Sequence, residues 1–103
     1  MTIKFTPNDK GNPPGKLADA ELHFNNDWIL DGLKLIGFGV WEHRGGRQVT
    51  FPARQYSMNG ETRSFALLRP IVTTDGQDRL RDLILEAYAA FEAEREAIEA
   101  IAV

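Results

Sequence analysis

The hydrophobic pattern of this chain changes its period near residue 74, and that change constrains the fold more than any other feature. Before it, as in residues 18–24, apolar and polar side chains alternate, which is typical of a strand with one buried face. After it, apolar residues recur every three or four positions, which is typical of one amphipathic helix. That stripe comprises Leu80, Leu83, Ile84, Ala87, Tyr88, Phe91, Ile98 and Ile101. The order predicts an α+β fold, with antiparallel strands over about 2–71 and a C-terminal helix over about 75–101.

Turn-forming residues divide the first part of the chain into strands. Residues 7–16 are almost all Pro, Gly, Asn, Asp and Lys, so they predict a loop. Asn25–Asp27 predicts a turn. The apolar residues of Trp28–Ile36 predict a return strand, with a bulge at Gly32.

Two short dipeptides predict hairpins. Gly45-Gly46 predicts the tip of one, because both residues tolerate a positive φ. Asn59-Gly60 predicts a second turn, followed by a strand over 62–68 in which Phe65 and Leu67 share a face.

The start of the helix is also specified. Thr74 and Gln77 have the spacing of a capping box, and Asp75 and Asp78 lie where the positive end of the helix dipole favours carboxylates. One helix on a small sheet buries little area and leaves open strand edges. We therefore expect a homodimer formed by strand addition.

Length and composition exclude several classes of protein. A chain of 103 residues with 43% hydrophobic residues predicts a single domain over 1–103, so multidomain enzymes and repeat arrays are excluded. The absence of cysteine excludes disulfides and thiolate zinc sites. The chain has no apolar run of membrane-spanning length and no secretory signal pattern at its start, which predicts a cytoplasmic protein with no membrane partner.

Residues that could carry catalysis are few. The two histidines, His23 and His43, have no metal-ligand spacing, and no serine lies in a nucleophile-elbow motif. Gly37-Phe38-Gly39 lacks the third glycine and the following helix of a phosphate-binding loop. We therefore expect no enzyme, no catalytic residue, no metal and no cofactor.

Charge is divided unevenly between the two parts of the chain. Residues 40–72 hold five arginines and two acids, whereas residues 76–103 hold three arginines and seven acids. Arginine suits phosphate recognition, because its planar guanidinium donates two parallel hydrogen bonds and stacks on bases. Phe38, Trp41 and Tyr56 lie in or beside the basic stretch and are candidate stacking platforms for unpaired bases.

Two other interpretations of this pattern remain open. In one, the aromatics are core residues and the arginines keep edge strands in solution. In the other, the arginines of one subunit meet the glutamates of another across a symmetric interface, which needs no nucleic acid.

The order of motifs resembles the SpoVG family, the stage V sporulation protein G-like septation regulators of bacteria. The matching stretches are Leu17–Phe24, Trp28–Ile36, Phe51–Arg54, Asn59–Arg63, Arg69–Ile71 and Leu80–Tyr88. The resemblance implies a small sheet with a C-terminal helix, a dimer joined through the sheet, and a regulator that binds nucleic acid without catalysis.

Position by position, the resemblance implies phosphate contacts at Arg54, at Arg63 and, where the helix opens, at Arg79 and Arg81. The alternative is that Arg63 pairs across the strands with Glu61 or Glu42 and that Arg81 pairs with a neighbouring helix acid. The hairpin at about 38–47 and the acidic helix face depart from the family pattern.

The sequence therefore predicts a dimeric, non-enzymatic regulator that binds DNA or RNA through a sheet-side arginine patch. The predicted contacts are Arg44, Arg47, Arg54, Arg63, Arg79 and Arg81. The alternative is a protein–protein interaction or assembly module that binds no nucleic acid.

Overall fold

A computed structural model describes residues 1–102. The elements are β1 (Thr2–Pro7), β2 (Lys16–His23), β3 (Lys34–His43), β4 (Gly46–Thr50), β5 (Ala53–Met58), β6 (Glu61–Ala66) and α1 (Asp75–Ala102). The first four strands form one antiparallel sheet in chain order, and β5 and β6 form a second sheet. This confirms the predicted α+β fold of strands followed by one long helix.

Register within the first sheet explains which side chains are buried. Ala20 lies opposite Phe5 on β1 and opposite Phe38 on β3, so these three residues share one face. Val40 lies opposite Val49 and extends this face onto β4. Because side chains alternate along a strand, the polar residues between them lie on the other face.

Helix α1 covers the apolar face of this sheet. The buried core consists of Ala18, Ala20, Leu22, Phe38, Val40, Ile84 and Tyr88. Alanines in the middle of β2 leave room for larger groups from the neighbouring elements. Phe5 and Tyr88 fill part of that room with an edge-to-face contact whose ring centroids lie 5.3 Å apart.

The hairpin of β5 and β6 stands apart from this core, since every one of its strand residues is exposed. Its turn is the predicted one, with positive φ at Asn59 (52°) and Gly60 (79°) between the paired residues Met58 and Glu61. Strand β6 ends at Ala66, whereas the sequence predicted a strand to residue 68.

The predicted return strand over Trp28–Ile36 is wrong in its first half. Residues 24–33 form a loop, and β3 begins only at Lys34. The Asp27 carboxylate accepts hydrogen bonds from the Ile29 and Leu30 amides. These bonds compete with strand pairing and favour a turn, although the residues themselves are apolar.

The tip of the β3–β4 hairpin is shifted by one residue from the prediction. Arg44 and Gly45 occupy the turn, and Gly46 pairs with His43 as the first residue of β4. The positive φ falls at Gly46 (112°), so only one residue of the Gly-Gly pair uses it.

The helix begins at Asp75, as predicted, but its cap differs in detail. The Thr74 carbonyl accepts the first helical hydrogen bond, from the Asp78 amide at 2.8 Å. The Thr74 hydroxyl donates to the Asp78 carboxylate at 3.2 Å, in place of the reciprocal bonds of a capping box with Gln77. Of the predicted apolar stripe, Leu80, Ile84, Tyr88 and Phe91 pack in or against the core, whereas Leu83, Ile98 and Ile101 are exposed. Leu85, outside the predicted stripe, packs against the core as well.

Candidate nucleic-acid interface

Two of the six predicted arginines come together on one face of the β5–β6 hairpin. Arg54 lies directly opposite Phe65, and Tyr56 lies directly opposite Arg63. Residues opposite each other in an antiparallel pair share a face, and so do residues two apart on one strand. The four side chains therefore alternate as cation and aromatic, both along each strand and across the pair.

This surface, which we call the Arg–aromatic face, is open to solvent. Tyr56 is 39% exposed and Phe65 49% exposed, although aromatic side chains are usually buried. Arg69, which follows the hairpin, places its guanidinium 5.1 Å from the centre of the Phe65 ring. That cation–π contact adds a third arginine beside the face.

The opposite face of the hairpin has a different character. Its residues are small or uncharged: Ala53, Gln55, Ser57, Thr62, Ser64 and Ala66. The two faces of the hairpin thus differ in chemistry, and the charged and aromatic groups lie on one of them.

Glu61 is the acid nearest to the arginines of this face. Its carboxylate lies 3.5 Å from the Arg63 guanidinium, on the same strand rather than across the pair. The side chains are 53% and 72% exposed, so this is a weak, solvated pair that a phosphate could displace.

The β3–β4 hairpin carries two more predicted residues, in different situations. Arg44 lies exposed at the turn. Arg47 reaches the helix, where one guanidinium nitrogen donates to both carboxylate oxygens of Glu92 at 2.8 Å. Its guanidinium also lies 5.2 Å from the centre of the Tyr88 ring. Arg47 therefore joins the sheet to the helix.

The contact with Glu92 and burial shift two pKa values in this region. The pKa of Arg47 is raised, first because Glu92 hydrogen-bonds to the guanidinium. Burial raises the pKa of Tyr88, and the negative charge of Glu92 adds to that effect.

The two predicted arginines at the start of the helix also differ from each other. Arg81 pairs with Asp78 at 3.2 Å and with Asp82 at 3.0 Å, which confirms the alternative that it pairs with helix acids. Arg79 is exposed and, like Arg44 and Arg54, has no ion-pair partner among residues 1–102.

Two grooves bring arginines from different elements together. Arg47 and Arg81 line an open groove of about 470 Å³ between β4 and the first turns of the helix, together with Gln48 and Gln77. Arg69 and Arg79 line another, of about 640 Å³, beside the helix start. The six predicted arginines thus lie on two hairpins and one helix end.

Of the three aromatics predicted as stacking platforms, the structure leaves Tyr56 most available. Phe38 is 1% exposed and belongs to the core. Trp41 is half-buried against the sheet, where its indole N–H donates to the Thr50 hydroxyl at 2.8 Å. Its ring lies so close to Gly39 that a Cβ at that position would come within 2.8 Å of the indole nitrogen.

The polar face of the four-stranded sheet carries its own charge cluster. His23 and Lys34 both lie against the Glu21 carboxylate, at 2.7 and 3.5 Å. The pKa of Glu21 is lowered, chiefly by the His23 hydrogen bond, with Lys34 contributing. His23 is thus satisfied by a neighbouring acid.

Neither a metal site nor a spanning helix is found in the part of the chain that the structure describes. Within residues 1–102, no group of three or more His, Asp or Glu side chains could hold a metal ion. No helix there combines the length and apolar character needed to cross a bilayer.

Sequence reasoning missed two features of this surface. It counted Arg69 in the basic stretch but not among the contacts, although its position after the Phe65 strand was a usable signal. It also placed Phe65 on a strand without counting it among the stacking platforms, because the partner of each residue depends on the register of the hairpin. The turn at Asn59-Gly60 sets that register and could have indicated the pairing.

The resemblance to the SpoVG family stays a prediction. Comparison of this chain with protein-family models, with curated proteins and with solved structures finds no match in any of the three.

Proposed function

We propose that this protein is a non-enzymatic regulator that binds DNA or RNA as a homodimer, with the Arg–aromatic face of the β5–β6 hairpin as its main contact. The observation that carries the proposal is the register that puts Arg54, Tyr56, Arg63 and Phe65 on one exposed face. Guanidinium groups pair with phosphates, and exposed rings stack on unpaired bases.

The other predicted arginines contribute unequally. Arg44 and Arg79 are exposed and are available as flanking phosphate contacts. Arg47 and Arg81 already pair with carboxylates, and a phosphate would have to displace them. We therefore assign those two arginines mainly to the helix and its packing.

The shape of the chain supports the homodimer. A two-stranded hairpin is at best marginally stable alone in water, yet β5 and β6 leave all their residues exposed. The radius of gyration is 15.8 Å, against about 13 Å for a compact chain of this size. A second copy that packs on the opposite, uncharged face of the hairpin would support it and leave the Arg–aromatic face open to nucleic acid.

The test is fluorescence anisotropy of labelled single- and double-stranded DNA and RNA at low and physiological salt. In the Arg54→Ala/Arg63→Ala variant we expect the slope of log affinity against log salt to become shallower by about two. We also expect affinity at low salt to fall by roughly tenfold or more. The matched control is Lys4→Ala/Lys10→Ala, which removes two exposed charges outside this face and should change binding less.

A second pair of substitutions separates stacking from simple charge. Tyr56→Ala/Phe65→Ala should weaken binding to single strands more than to duplexes, because stacking requires unpaired bases. Absence of binding to all four nucleic acids at low salt would overturn the proposal. Equal losses in the arginine and lysine variants would overturn the assigned face.

A protein-interaction or assembly module is the second candidate, and one observation favours it. Tyr56, Met58 and Phe65 form an exposed apolar patch on the hairpin, and such patches mark protein interfaces. A stoichiometric protein complex that survives nuclease treatment and is lost in Tyr56→Ala/Phe65→Ala would support this function in place of nucleic-acid binding.

A further inference from the structure

The loop between β2 and β3 is held in one conformation by its own hydrogen bonds. Its ends are joined by the Phe24 amide donating to the Leu33 carbonyl and by the Gly32 amide donating to the Phe24 carbonyl, both at 2.9 Å. Within it, the Asp27 carboxylate accepts from two amides, and the Asp31 carboxylate accepts from the Asn26 amide at 2.6 Å. A loop with these bonds is preorganised.

What this loop presents to solvent is apolar. Trp28, Ile29 and Leu30, which we call the apolar tip, are 93%, 69% and 40% exposed. Exposed apolar residues are ordinary when scattered, but three consecutive ones on a rigid loop form a patch. Tryptophan is also the residue most enriched at the energetic centres of protein interfaces.

The same chain carries a groove suited to such a tip. The groove of about 640 Å³ beside the helix start is walled by Phe51, Leu68, Ile71, Val72 and Leu80. Ile71 and Val72 are 98% and 90% exposed, so this wall lacks a covering element. The volume lies in the range of about 300–1,000 Å³ that accommodates a group larger than one side chain.

Charge at the two surfaces is complementary. Asp27 and Asp31 flank the apolar tip, whereas Arg69 and Arg79 line the groove. Asp75 also lines the groove, which leaves it with a net positive charge of one. The acids beside the tip would be repelled by an anionic lipid surface and attracted by this groove.

Sheet topology places the two surfaces at different heights along the sheet. The tip follows β2 beyond the His23–Lys34 pair at one end, whereas β4 ends at Thr50 opposite Gly39, so Phe51 and the groove begin about halfway along β3. Two copies related by a two-fold axis would each offer a tip and a groove to the other. Such an isologous contact closes on itself.

We propose that the apolar tip of one copy occupies the helix-start groove of a second copy, and the reverse. This contact would bury Trp28 and Ile71, two large apolar side chains that are almost fully exposed in the single chain. The proposal specifies a contact of the homodimer proposed above and rests on that homodimer, but not on nucleic-acid binding. It places Arg79 in the dimer contact, so in the dimer Arg44 is the flanking phosphate contact.

Crosslinking tests the contact directly, since the native chain has no cysteine. Ile29→Cys and Val72→Cys proteins are mixed and treated with a short bis-maleimide. We expect a crosslink between the two variants that exceeds the yield from either variant alone. Ile98→Cys, which is also exposed but is distant from both surfaces in the sequence, is the control and should not crosslink to Ile29→Cys.

Sedimentation velocity measures how much the apolar tip contributes to the stability of the dimer. Trp28→Asp should raise the dimer dissociation constant at least about 30-fold, as expected for a central tryptophan, whereas Ile98→Asp should change it little. Far-UV circular dichroism should be unchanged in both variants, because both side chains are exposed.

The outcomes separate this proposal from the homodimer itself. A wild-type dimer whose dissociation constant is unchanged by Trp28→Asp would overturn the tip contact and leave the homodimer standing. A wild-type protein that stays monomeric at all concentrations would overturn both, and the tip would then serve a different protein.

Discussion

At the scale of single residues, Arg47 shows that the packing around an arginine decides whether its guanidinium is available to bind a phosphate. It lies two residues before Val49, so it shares the face of β4 that α1 covers. There it meets Glu92 and the Tyr88 ring, and 30% of its side chain stays exposed. Arg54 is the same residue type on the open hairpin, and its guanidinium stays available for a phosphate.

We expect Arg47→Ala to change stability more than binding. The free energy of unfolding should fall by about 1 kcal/mol, because the partly exposed ion pair with Glu92 and the cation–π contact with Tyr88 together contribute about that much. The salt slope of nucleic-acid binding should stay as in the wild type. Urea unfolding and anisotropy titrations measure the two effects, and a slope shallower by one would instead show that Arg47 contacts a phosphate.

At the scale of elements, the β5–β6 hairpin is ordered by its turn rather than by burial. All its strand residues are exposed, so little apolar packing holds it in place. Gly60 has a φ of 79°, a conformation that L residues adopt at a cost of roughly 1–2 kcal/mol. A cost of that size is large for a hairpin with so few other contacts.

Gly60→Ala should therefore loosen the hairpin while leaving the four-stranded sheet intact. A Cβ there meets no atom within 4 Å, so the expected effect is conformational and not steric. Amide hydrogen exchange should accelerate across residues 53–66 and stay unchanged in β2 and β3. Gly45→Ala is the matched control, because that turn glycine also has open space but no positive φ; an equal effect in both variants would contradict this account.

At the scale of the whole molecule, the fold depends on one thin layer of contact between helix and sheet. The buried core has seven residues, and Ile84 and Tyr88 are its only members from α1 among the residues described. The chain extends over 53 × 39 × 24 Å, because the hairpin and the helix end project from this core.

Ile84→Ala should lower the free energy of unfolding by about 2–5 kcal/mol, because it leaves a cavity where helix and sheet meet. Ile98→Ala removes the same atoms from a side chain that is 60% exposed and should cost no more than about 0.5 kcal/mol. Urea denaturation at a fixed protein concentration compares the two. Similar losses would mean that the distal helix is also buried, for example in a dimer.

Local sequence patterns determined the order and type of the elements. Alternation of apolar residues predicted β2, the change of period predicted α1, and Asn59-Gly60 predicted the second turn. These signals are reliable because they depend on backbone geometry within a few residues. The pattern failed at Trp28–Leu30, where hydrogen bonds to Asp27 outweigh the strand preference of apolar side chains.

Only the tertiary structure decided which charges and aromatics share an open surface. The sequence identified the arginines Arg54 and Arg63, and the Asn59-Gly60 turn indicated the register that pairs them with aromatics, but only the structure showed that this face of the hairpin stays exposed. The sequence could not separate Arg47 from them either, since the partner Glu92 lies 45 positions away. Residue type and local geometry are properties of short segments, whereas the environment of a side chain depends on what the folded chain brings beside it.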